Sequence, residues 1–336
     1  MASSSLEKTR SLSYNLFWIG VFFAGIFAIM ATLYYSTRQI DYVWRWYNMP
    51  KYFLNHDKVM VKAQAGGIIE SIVVDGERAV FTIKEDDGTR FKQETTSEDI
   101  WMYEGDMVAM GDTLSAYREW RAGILTQGMW ITLKVSVYSI FFGILIGLIG
   151  GIARISSNPA LKWSAITYVE IIRGSPLLVQ IFIWYFVLAT LVNELLKRHG
   201  IPEIPALWYG VAALACFTGA YVTEIVRGGI QSIHRGQIEA ARSLGMTYAQ
   251  SMMHVTLPQA MRRILPPLAG QFISLVKDSS LLGMIAIREL TKATREGITV
   301  SLQPYEFWFI CAGLYLVLTF ALSMFVQHLE RRMATS

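Results

Sequence analysis

Two polar interruptions of long apolar stretches carry the side chains that could bind a charged small molecule. Between them they contain five candidate residues: Gly174, Ser175, Asp278, Ser279 and Ser280. Charged groups within apolar segments of membrane length are costly, and they usually face a cavity lined by protein or water. Broken helices at such places point free N–H groups at anions, and a carboxylate can bind an ammonium group. The two interruptions therefore predict a passage for a molecule that carries both charges.

The local sequence indicates how each interruption would be built. Ser175-Pro176 is predicted to start a helix, with the serine as N-cap and the proline as first helical residue. In the second interruption, Asp278 or Ser279 is predicted to cap a half-helix at Leu281–Ile287. The alternative is that Lys277 and Asp278 pair with other groups, or mark a helix end near the membrane interface, and have a structural or gating role.

A third polar segment, 228–264, lies between two apolar runs and contains a spaced motif. Glu-Ala-Ala is followed by glycine after three residues, valine after nine more, and then Leu-Pro after one residue. The motif comprises Glu239, Ala240, Ala241, Gly245, Val255, Leu257 and Pro258.

Each of these residue types suggests a local conformation. The two alanines present a small face that another protein surface could approach closely. Gly245 is predicted to end the first helix in a left-handed conformation, and Thr247 to cap a second helix, Tyr248–Val255. Pro258 is predicted to turn the chain by excluding Leu257 from the helical region. The result is a basic helix-turn-helix ledge; the alternative is an ordinary polar loop with a chance Glu-Ala-Ala.

The elements that must position these residues are membrane helices. The chain has 336 residues and is 53% hydrophobic, and a spanning helix needs about 20 mostly apolar residues. The first apolar run is predicted to be a retained anchor, since it is too long for a cleaved signal peptide. Six segments qualify, of which the fifth is interrupted by charge: Asn15–Tyr35, Trp130–Ile152, Pro176–Leu196, Leu207–Val226, Leu265–Ile287 and Tyr305–Val326.

Lysine and arginine placement predicts the orientation. Basic residues cluster before the first run, after the second, around the 228–264 segment and at the end of the chain. If these clusters are cytoplasmic, six alternating spans place both termini inside the cell. The opposing loops also carry some basic residues, so the charge bias alone is moderate.

Composition also excludes several classes of function. The net charge of +4 is small for this length, which gives no indication of a nucleic-acid partner. No GxxxxGK[S/T] stretch is present, so the chain lacks the phosphate-binding loop of an ATPase. Neither the two cysteines nor the five histidines show metal-ligand spacing. We expect no metal, no cofactor and no catalysis in this chain.

Residues 37–121 differ in character from the rest. An aromatic-rich stretch, Asp41–Asn55, suits the membrane interface. Short β-like runs then alternate with Asp-Gly turns, which are typical of hairpins: Gly67–Val74, Ala79–Lys84 and Thr89–Glu94. These residues are predicted to form a small extracytoplasmic β-rich domain that acts either as a spacer or as a docking module.

From Gly123 to Arg332 the sequence resembles the membrane-spanning permease subunit of bacterial type I ABC importers. The closest resemblance is to the branch that takes up polar amino acids such as histidine, glutamine and arginine. The Glu-Ala-Ala segment looks like the family's cytoplasmic coupling loop, with Val255 where isoleucine is usual. The other matching segments are Thr126–Leu133 before a glycine-rich helix, Tyr168–Gln180, Ala220-Tyr221 with Glu224 and Arg227–Gly229, and Lys277–Leu281.

This resemblance implies a location in the bacterial plasma (inner) membrane as a multi-pass protein, and it also implies a fold, partners and a mechanism. The fold would be an all-α polytopic permease core of five helices at 122–332, preceded by a tail and anchor helix at 1–36 and the β-rich domain at 37–121. The coupling loop, 228–264, would dock one of two ABC ATPase subunits, which bind ATP and Mg²⁺. A second permease chain, identical or homologous, would complete the path, and an extracytoplasmic binding protein would deliver a polar or charged amino acid. Transport would occur by alternating access.

Two other classes of function remain open from the residues. A secondary transporter driven by an ion gradient would explain the charges at 277–278, but it leaves the Glu-Ala-Ala segment without a purpose. A membrane-anchored receptor that senses through residues 58–117 does not explain five further spans.

Overall fold

The computed structural model describes residues 12–85 and 87–334, and internal contacts divide the chain into two units, Met1–Tyr47 and Asn48–Ser336. The predicted N-terminal tail with Lys8 and Arg10 lies outside the described residues, as do the side chains of Arg331 and Arg332. In the first unit, helix α1 spans Leu12–Gln39 and contains the predicted anchor. Its apolar stretch, Tyr14–Gln39, is long and apolar enough to cross a membrane. Two short 3₁₀ turns follow, Trp46–Asn48 and Pro50–Tyr52.

The second unit begins with seven strands in two antiparallel sheets. One sheet has the order β1-β7-β5 and the other has the order β4-β3-β2-β6. Their shared core contains Ile69, Phe81, Ile83 and Leu114, each at most 1% exposed. The strands are β1 Leu54–Lys62, β2 Gly67–Asp75, β3 Arg78–Lys84, β4 Arg90–Thr96, β5 Asp99–Ile100, β6 Met107–Val108 and β7 Thr113–Ala122.

Both predicted hairpins are present. The β2–β3 and β3–β4 turns contain Gly76 and Gly88, with φ of +62° and +85°, a conformation that favours glycine. The predicted interfacial stretch at 41–55 ends in β1, which was not expected to be a strand. β1 pairs with β7 from Leu54↔Ala122 onward, so the strands that open and close this part of the chain lie side by side.

A tight junction joins the sheets to the helices. Gly123 donates its N–H to the carbonyl of Phe53 at 2.8 Å, and Thr126 Oγ1 donates to the same oxygen at 2.7 Å. A Cβ on Gly123 would lie 2.2 Å from the Tyr52 carbonyl oxygen, so only glycine allows this approach.

The remainder of the chain is helical. Two π-helical turns, Ile183–Leu188 and Met252–Thr256, lie within longer helices, and a 3₁₀ segment, Ser279–Met284, continues α9. The helices are α2 Ile124–Ile155, α3 Pro159–Gly174, α4 Leu177–Phe182, α5 Ala189–Arg198, α6 Ala206–Gln231, α7 Arg235–Ser243, α8 Tyr248–Ser251, α9 Leu257–Asp278, α10 Leu290–Ser301 and α11 Pro304–Ala334.

Five described helices are long and apolar enough to cross a membrane, and each overlaps a predicted span: Tyr14–Gln39, Ile124–Ile155, Leu177–Arg198, Ala206–Gln231 and Pro304–His328. The predicted span Leu265–Ile287 is not among them. That span coincides with α9 and its 3₁₀ continuation, which ends at Met284. Polar residues and two internal prolines lower the mean hydropathy of α9. α9 packs against α2, α6 and α11.

Helices α2 and α6 form the centre of the helical part through a line of glycines. Built Cβ atoms on Gly143, Gly147 and Gly151 would lie 3.0 Å or less from side-chain atoms of α6. Small residues let helix backbones approach closely, so these glycines allow α2 to pack tightly on α6.

Candidate functional site

The predicted ledge lies at the end of α6 and consists of α7, the turn at Gly245 and α8. His234 caps α7 by accepting the Gly236 N–H on Nδ1 at 3.1 Å. Arg263 of α9 bonds the short connection between α6 and α7: its Nη1 donates to the Ser232 carbonyl at 2.5 Å. Beneath it, an apolar cluster joins α6 to α9 through Val226, Ile230 and Ile264, among others.

Gly245 ends α7 as the sequence predicts. Its φ is +82°, and the N–H groups of Gly245 and Met246 donate to the carbonyls of Arg242 and Ala241 at 2.9 and 3.2 Å. This is the Schellman pattern of a glycine-ended helix. Thr247 then caps α8 in a capping box with Gln250, which confirms the second predicted start.

The predicted turn at Leu257-Pro258 is wrong. Leu257 has helical φ and ψ of −63° and −43°, and its N–H donates to Met252 across a π-helical turn. In a π-helical turn, each backbone N–H bonds the carbonyl five residues earlier instead of four. The helix can therefore continue through Pro258, which has no backbone N–H to donate. The chain therefore runs as one helical rod from Tyr248 into α9, and the prediction that the second helix ends at Val255 is also wrong.

The two alanines of the motif do not share one exposed face. Glu239 and Ala240 are exposed, whereas Ala241 is 4% exposed and packs inward. The expectation of a small face made by both alanines is thus corrected to Ala240 alone. The outer surface is extended by apolar side chains, of which Leu244 is 81% and Tyr248 68% exposed.

A charged network lies where α2 and α6 approach the ledge. The carboxylate of Glu224 accepts from Arg154 Nε at 2.9 Å and from Arg227 Nη2 at 2.7 Å. All three side chains are a third or less exposed. In the sequence, Glu224 stood out only as part of a segment that matches the family, with no indication that it bridges two helices.

The first predicted interruption exists, with a different cap. α3 ends at Gly174, Ser175 is extended, and the next helix starts at Leu177 after Pro176. The Ser175 hydroxyl donates back to the Ile171 carbonyl at 2.9 Å, so it does not cap the following helix. The prediction that Ser175 is the N-cap is therefore wrong, because the N-cap is the next residue, Pro176. The Ser175 hydroxyl bonds a carbonyl of the preceding helix instead.

Gln180 of α4 bonds the end of α3 and Ser175 at this interruption, a role that the sequence did not indicate. Its Nε2 donates to the Ile172 carbonyl at 2.7 Å and to the Ser175 carbonyl and hydroxyl at 3.1 and 2.9 Å. Its Oε1 is buried without a hydrogen-bond partner among the described residues.

The second predicted interruption is not a helix break. Asp278 is helical and makes no side-chain cap, and the helix continues through Ser279 and Ser280 as a 3₁₀ segment. The Ser279 hydroxyl donates to the Val276 carbonyl at 2.7 Å, which satisfies it without a change of direction. The predicted half-helix Leu281–Ile287, with free N–H groups at its start, is therefore wrong.

The segments at the two predicted interruptions are nevertheless in contact. The 3₁₀ segment packs against α4, and Leu177, Ile181, Leu281 and Leu282 belong to one apolar cluster. Asp278 is partly exposed and Ser279 fully buried.

A buried carboxylate, unrecognised in the sequence, starts α10. Glu289 is 0% exposed and accepts the N–H groups of Thr291 and Lys292 at 2.7 and 2.8 Å and the Tyr315 hydroxyl at 2.9 Å. Glutamate is an uncommon N-cap, so its residue type carries little signal for this role.

Comparisons with known proteins identify the helical part. Residues 140–335 match the family model described as binding-protein-dependent transport system inner membrane component. The chain is 39% identical over 210 residues to a probable glutamine ABC transporter permease protein of Bacillus subtilis, GlnM, covering 62% of this chain and 93% of that one. It is 37% identical over 210 residues to the glutamine transport system permease protein GlnP of Escherichia coli K12, with the same coverage.

Solved structures agree. A crystal structure of an amino acid ABC transporter with histidines matches with a TM-score of 0.55 and 39% identity, over 62% of this chain and 94% of that one. An inward-facing MetNI methionine ABC transporter shares the fold at 22% identity and a TM-score of 0.53, over 62% of this chain and 96% of that one. This chain belongs to the family of binding-protein-dependent transport system inner membrane components, the membrane-spanning permeases of ABC importers.

Proposed function

We propose that this chain forms half of the translocation path of an ATP-driven importer for polar amino acids. The observation that carries the proposal is the exposed ledge α7–Gly245–α8, which is anchored to α6 and α9 and lies within the region that matches the family. The substrate class is supported by the relatives, which are named for glutamine and, in a further B. subtilis relative at 37% identity, for L-cystine.

The partners follow from this role. Two ATPase subunits dock on the ledges of two permease chains and hold ATP and Mg²⁺. A second permease chain, identical or homologous, supplies the other half of the path, and an extracytoplasmic binding protein delivers the amino acid. Closure of the ATPases moves the two ledges together and opens the path outward, with Glu239, Ala240, Gly245 and neighbouring motif residues transmitting the motion.

The ledge faces the cytoplasm in this proposal, and both termini lie on the same side. This orientation needs a sixth crossing, which we assign to α9 and its continuation. α9 packs against α2, α6 and α11, and charged groups within a span usually face protein or a watery cavity rather than lipid. The strands between Leu54 and Ala122 then form an extracytoplasmic domain.

The ledge is tested by replacing its left-handed glycine. Gly245→Val should abolish co-purification of the ATPase, because a β-branched residue at φ of +82° destabilises the turn by at least about 1–2 kcal/mol. Gly200→Val is the matched control, since Gly200 has φ of +69° and no neighbouring atom within 4 Å but lies between α5 and α6, away from the ledge. ATPase recovered at normal yield with Gly245→Val would contradict the proposal.

We further propose that Gly174, Ser175, Asp278, Ser279 and Ser280 lie along the substrate path. Support comes from the packing of α4 against the 3₁₀ segment and from the partial exposure of Asp278. Asp278 would bind the ammonium group of the amino acid, and the start of the Leu177–Arg198 helix would face its carboxylate.

Asp278→Asn tests this path, because it keeps the shape and removes the charge. We expect assembly with the ATPase to be unchanged and substrate-stimulated ATP hydrolysis in reconstituted complexes to fall about tenfold or more, the loss of one charge-assisted bond. Unchanged stimulation and transport at all substrate concentrations would make Asp278 a structural residue.

A further inference from the structure

We propose that the end of the helical part beside the ledge binds an anionic phospholipid of the cytoplasmic leaflet. The site consists of a cationic cavity for the phosphate and an adjoining apolar groove for an acyl chain. The assignment of leaflet rests on the orientation proposed above, whereas the binding chemistry does not.

The cavity has a volume of about 740 Å³ and lies between the end of α2, the start of α3 and the ledge. Four cationic side chains line it: Arg154, Lys162, Arg227 and Arg235. Glu224 bonds the first and third of these, and no acidic residue is among the described residues that line the cavity. Lys162 and Arg235 form none of the ion pairs found within the described part of the chain. The cavity thus has an excess of positive charge that suits a phosphate.

The apolar groove continues directly from this cavity. It has a volume of about 590 Å³, and Ile155, Ile230, Tyr248 and Met252 line both spaces. Farther along, its wall is formed by Ile152, which is 61% exposed on α2. A water-soluble phosphate compound would leave such a groove empty, whereas a lipid fills both spaces.

The surroundings place the site at the membrane surface. Trp163 follows Lys162 on α3 and is 65% exposed, and tryptophan favours the headgroup level of a bilayer. Basic pockets between membrane helices on the cytoplasmic side bind anionic headgroups. Arg235 lies at the start of α7, so a bound lipid would touch the ledge itself and couple membrane composition to the position of the ATPase.

The test measures lipid retained by the full chain, extracted with the subunits that co-purify. Native mass spectrometry counts phosphatidylglycerol molecules per permease chain during titration. The double variant Lys162→Gln/Arg235→Gln should bind phosphatidylglycerol about thirtyfold more weakly, from two cationic contacts near the membrane surface. The matched control Arg242→Gln/Arg262→Gln makes the same change of charge at exposed positions that do not line the cavity, and it should bind like the wild type.

Three outcomes would overturn the proposal. The two double variants could bind phosphatidylglycerol equally, which would leave only non-specific charge attraction. Glycerol 3-phosphate, which has the headgroup chemistry without acyl chains, could compete as well as the lipid, which would make the site one for soluble phosphates. Chains carrying ATPase could retain no lipid while chains without it do, which would make the cavity part of the ATPase interface. The first two readouts require neither transport nor a bound ATPase, so failure in them is distinct from failure of the ledge to bind the ATPase.

Discussion

At the scale of single residues, Glu224 is a carboxylate near the ledge that bonds two arginines. It joins Arg154 of α2 to Arg227 of its own helix. Glu224→Gln leaves two guanidinium groups close together without a carboxylate. We expect the free energy of unfolding to fall by about 1–3 kcal/mol, the usual effect of losing a charged partner in a half-buried site. The midpoint of thermal unfolding of the purified chain measures this loss.

Glu194→Gln provides the control for that prediction. Glu194 bonds Arg198 at 3.3 Å one turn along α5, and both side chains are more than half exposed. An exposed pair of this kind contributes about 0.3–0.5 kcal/mol, so the midpoint should hardly move. Equal shifts for the two variants would mean that the Glu224 network does not brace α2 against α6.

The sequence predicted those parts of the ledge whose backbone geometry depends on the type of a single residue. Gly245 and Thr247 behave as their chemistry requires, because a left-handed stop and an N-cap are local features. Pro258 does not, because a π-helical turn two to six residues earlier lets the helix continue through it. Ser175 and Ser279 were misjudged for a related reason: each hydroxyl found a carbonyl of the preceding helix, an alternative that spacing alone does not reveal.

At the scale of elements, the glycines of α2 determine how closely it packs on α6. A Cβ on Gly147 would lie 2.3 and 2.4 Å from two atoms of Val222. Gly147→Ala should therefore lower the free energy of unfolding by about 1–3 kcal/mol through overpacking, even though alanine favours a helix. Gly313→Ala in α11 meets no atom within 4 Å and should be neutral or stabilising by up to about 1 kcal/mol. Equal effects on the unfolding midpoint would refute the role of this contact.

Elements with strong local signals were predicted, and those held by distant partners were not. The hairpins β2–β3 and β3–β4 follow from glycine turns between apolar runs. Strands β1 and β7 pair across more than fifty residues, so their pairing leaves no short-range pattern. α9 is a related case. Its polar residues and prolines obscure the sequence pattern of a helix, and contacts with neighbouring helices stabilise it.

At the scale of the whole molecule, the family model matches residues 140–335 and so does not include the strands that precede α2. The B. subtilis and E. coli permeases are covered almost completely by this chain but account for only 62% of it. The β-rich part is bonded to the first residues of α2 through Gly123 and Thr126.

The topology of the whole chain is tested by cysteine labelling of cells. After replacing Cys216 and Cys311 with alanine, single cysteines are placed at Lys92 in β4 and at Ser243 in α7, both exposed. A membrane-impermeant thiol reagent should label Lys92→Cys in intact spheroplasts, because the β-rich part is proposed to lie outside. It should label Ser243→Cys only after permeabilisation, because the ledge must meet a cytoplasmic ATPase. If Ser243→Cys reacts in intact spheroplasts while Lys92→Cys is protected, the chain is inverted, and neither the coupling ledge nor the lipid site can face the cytoplasm.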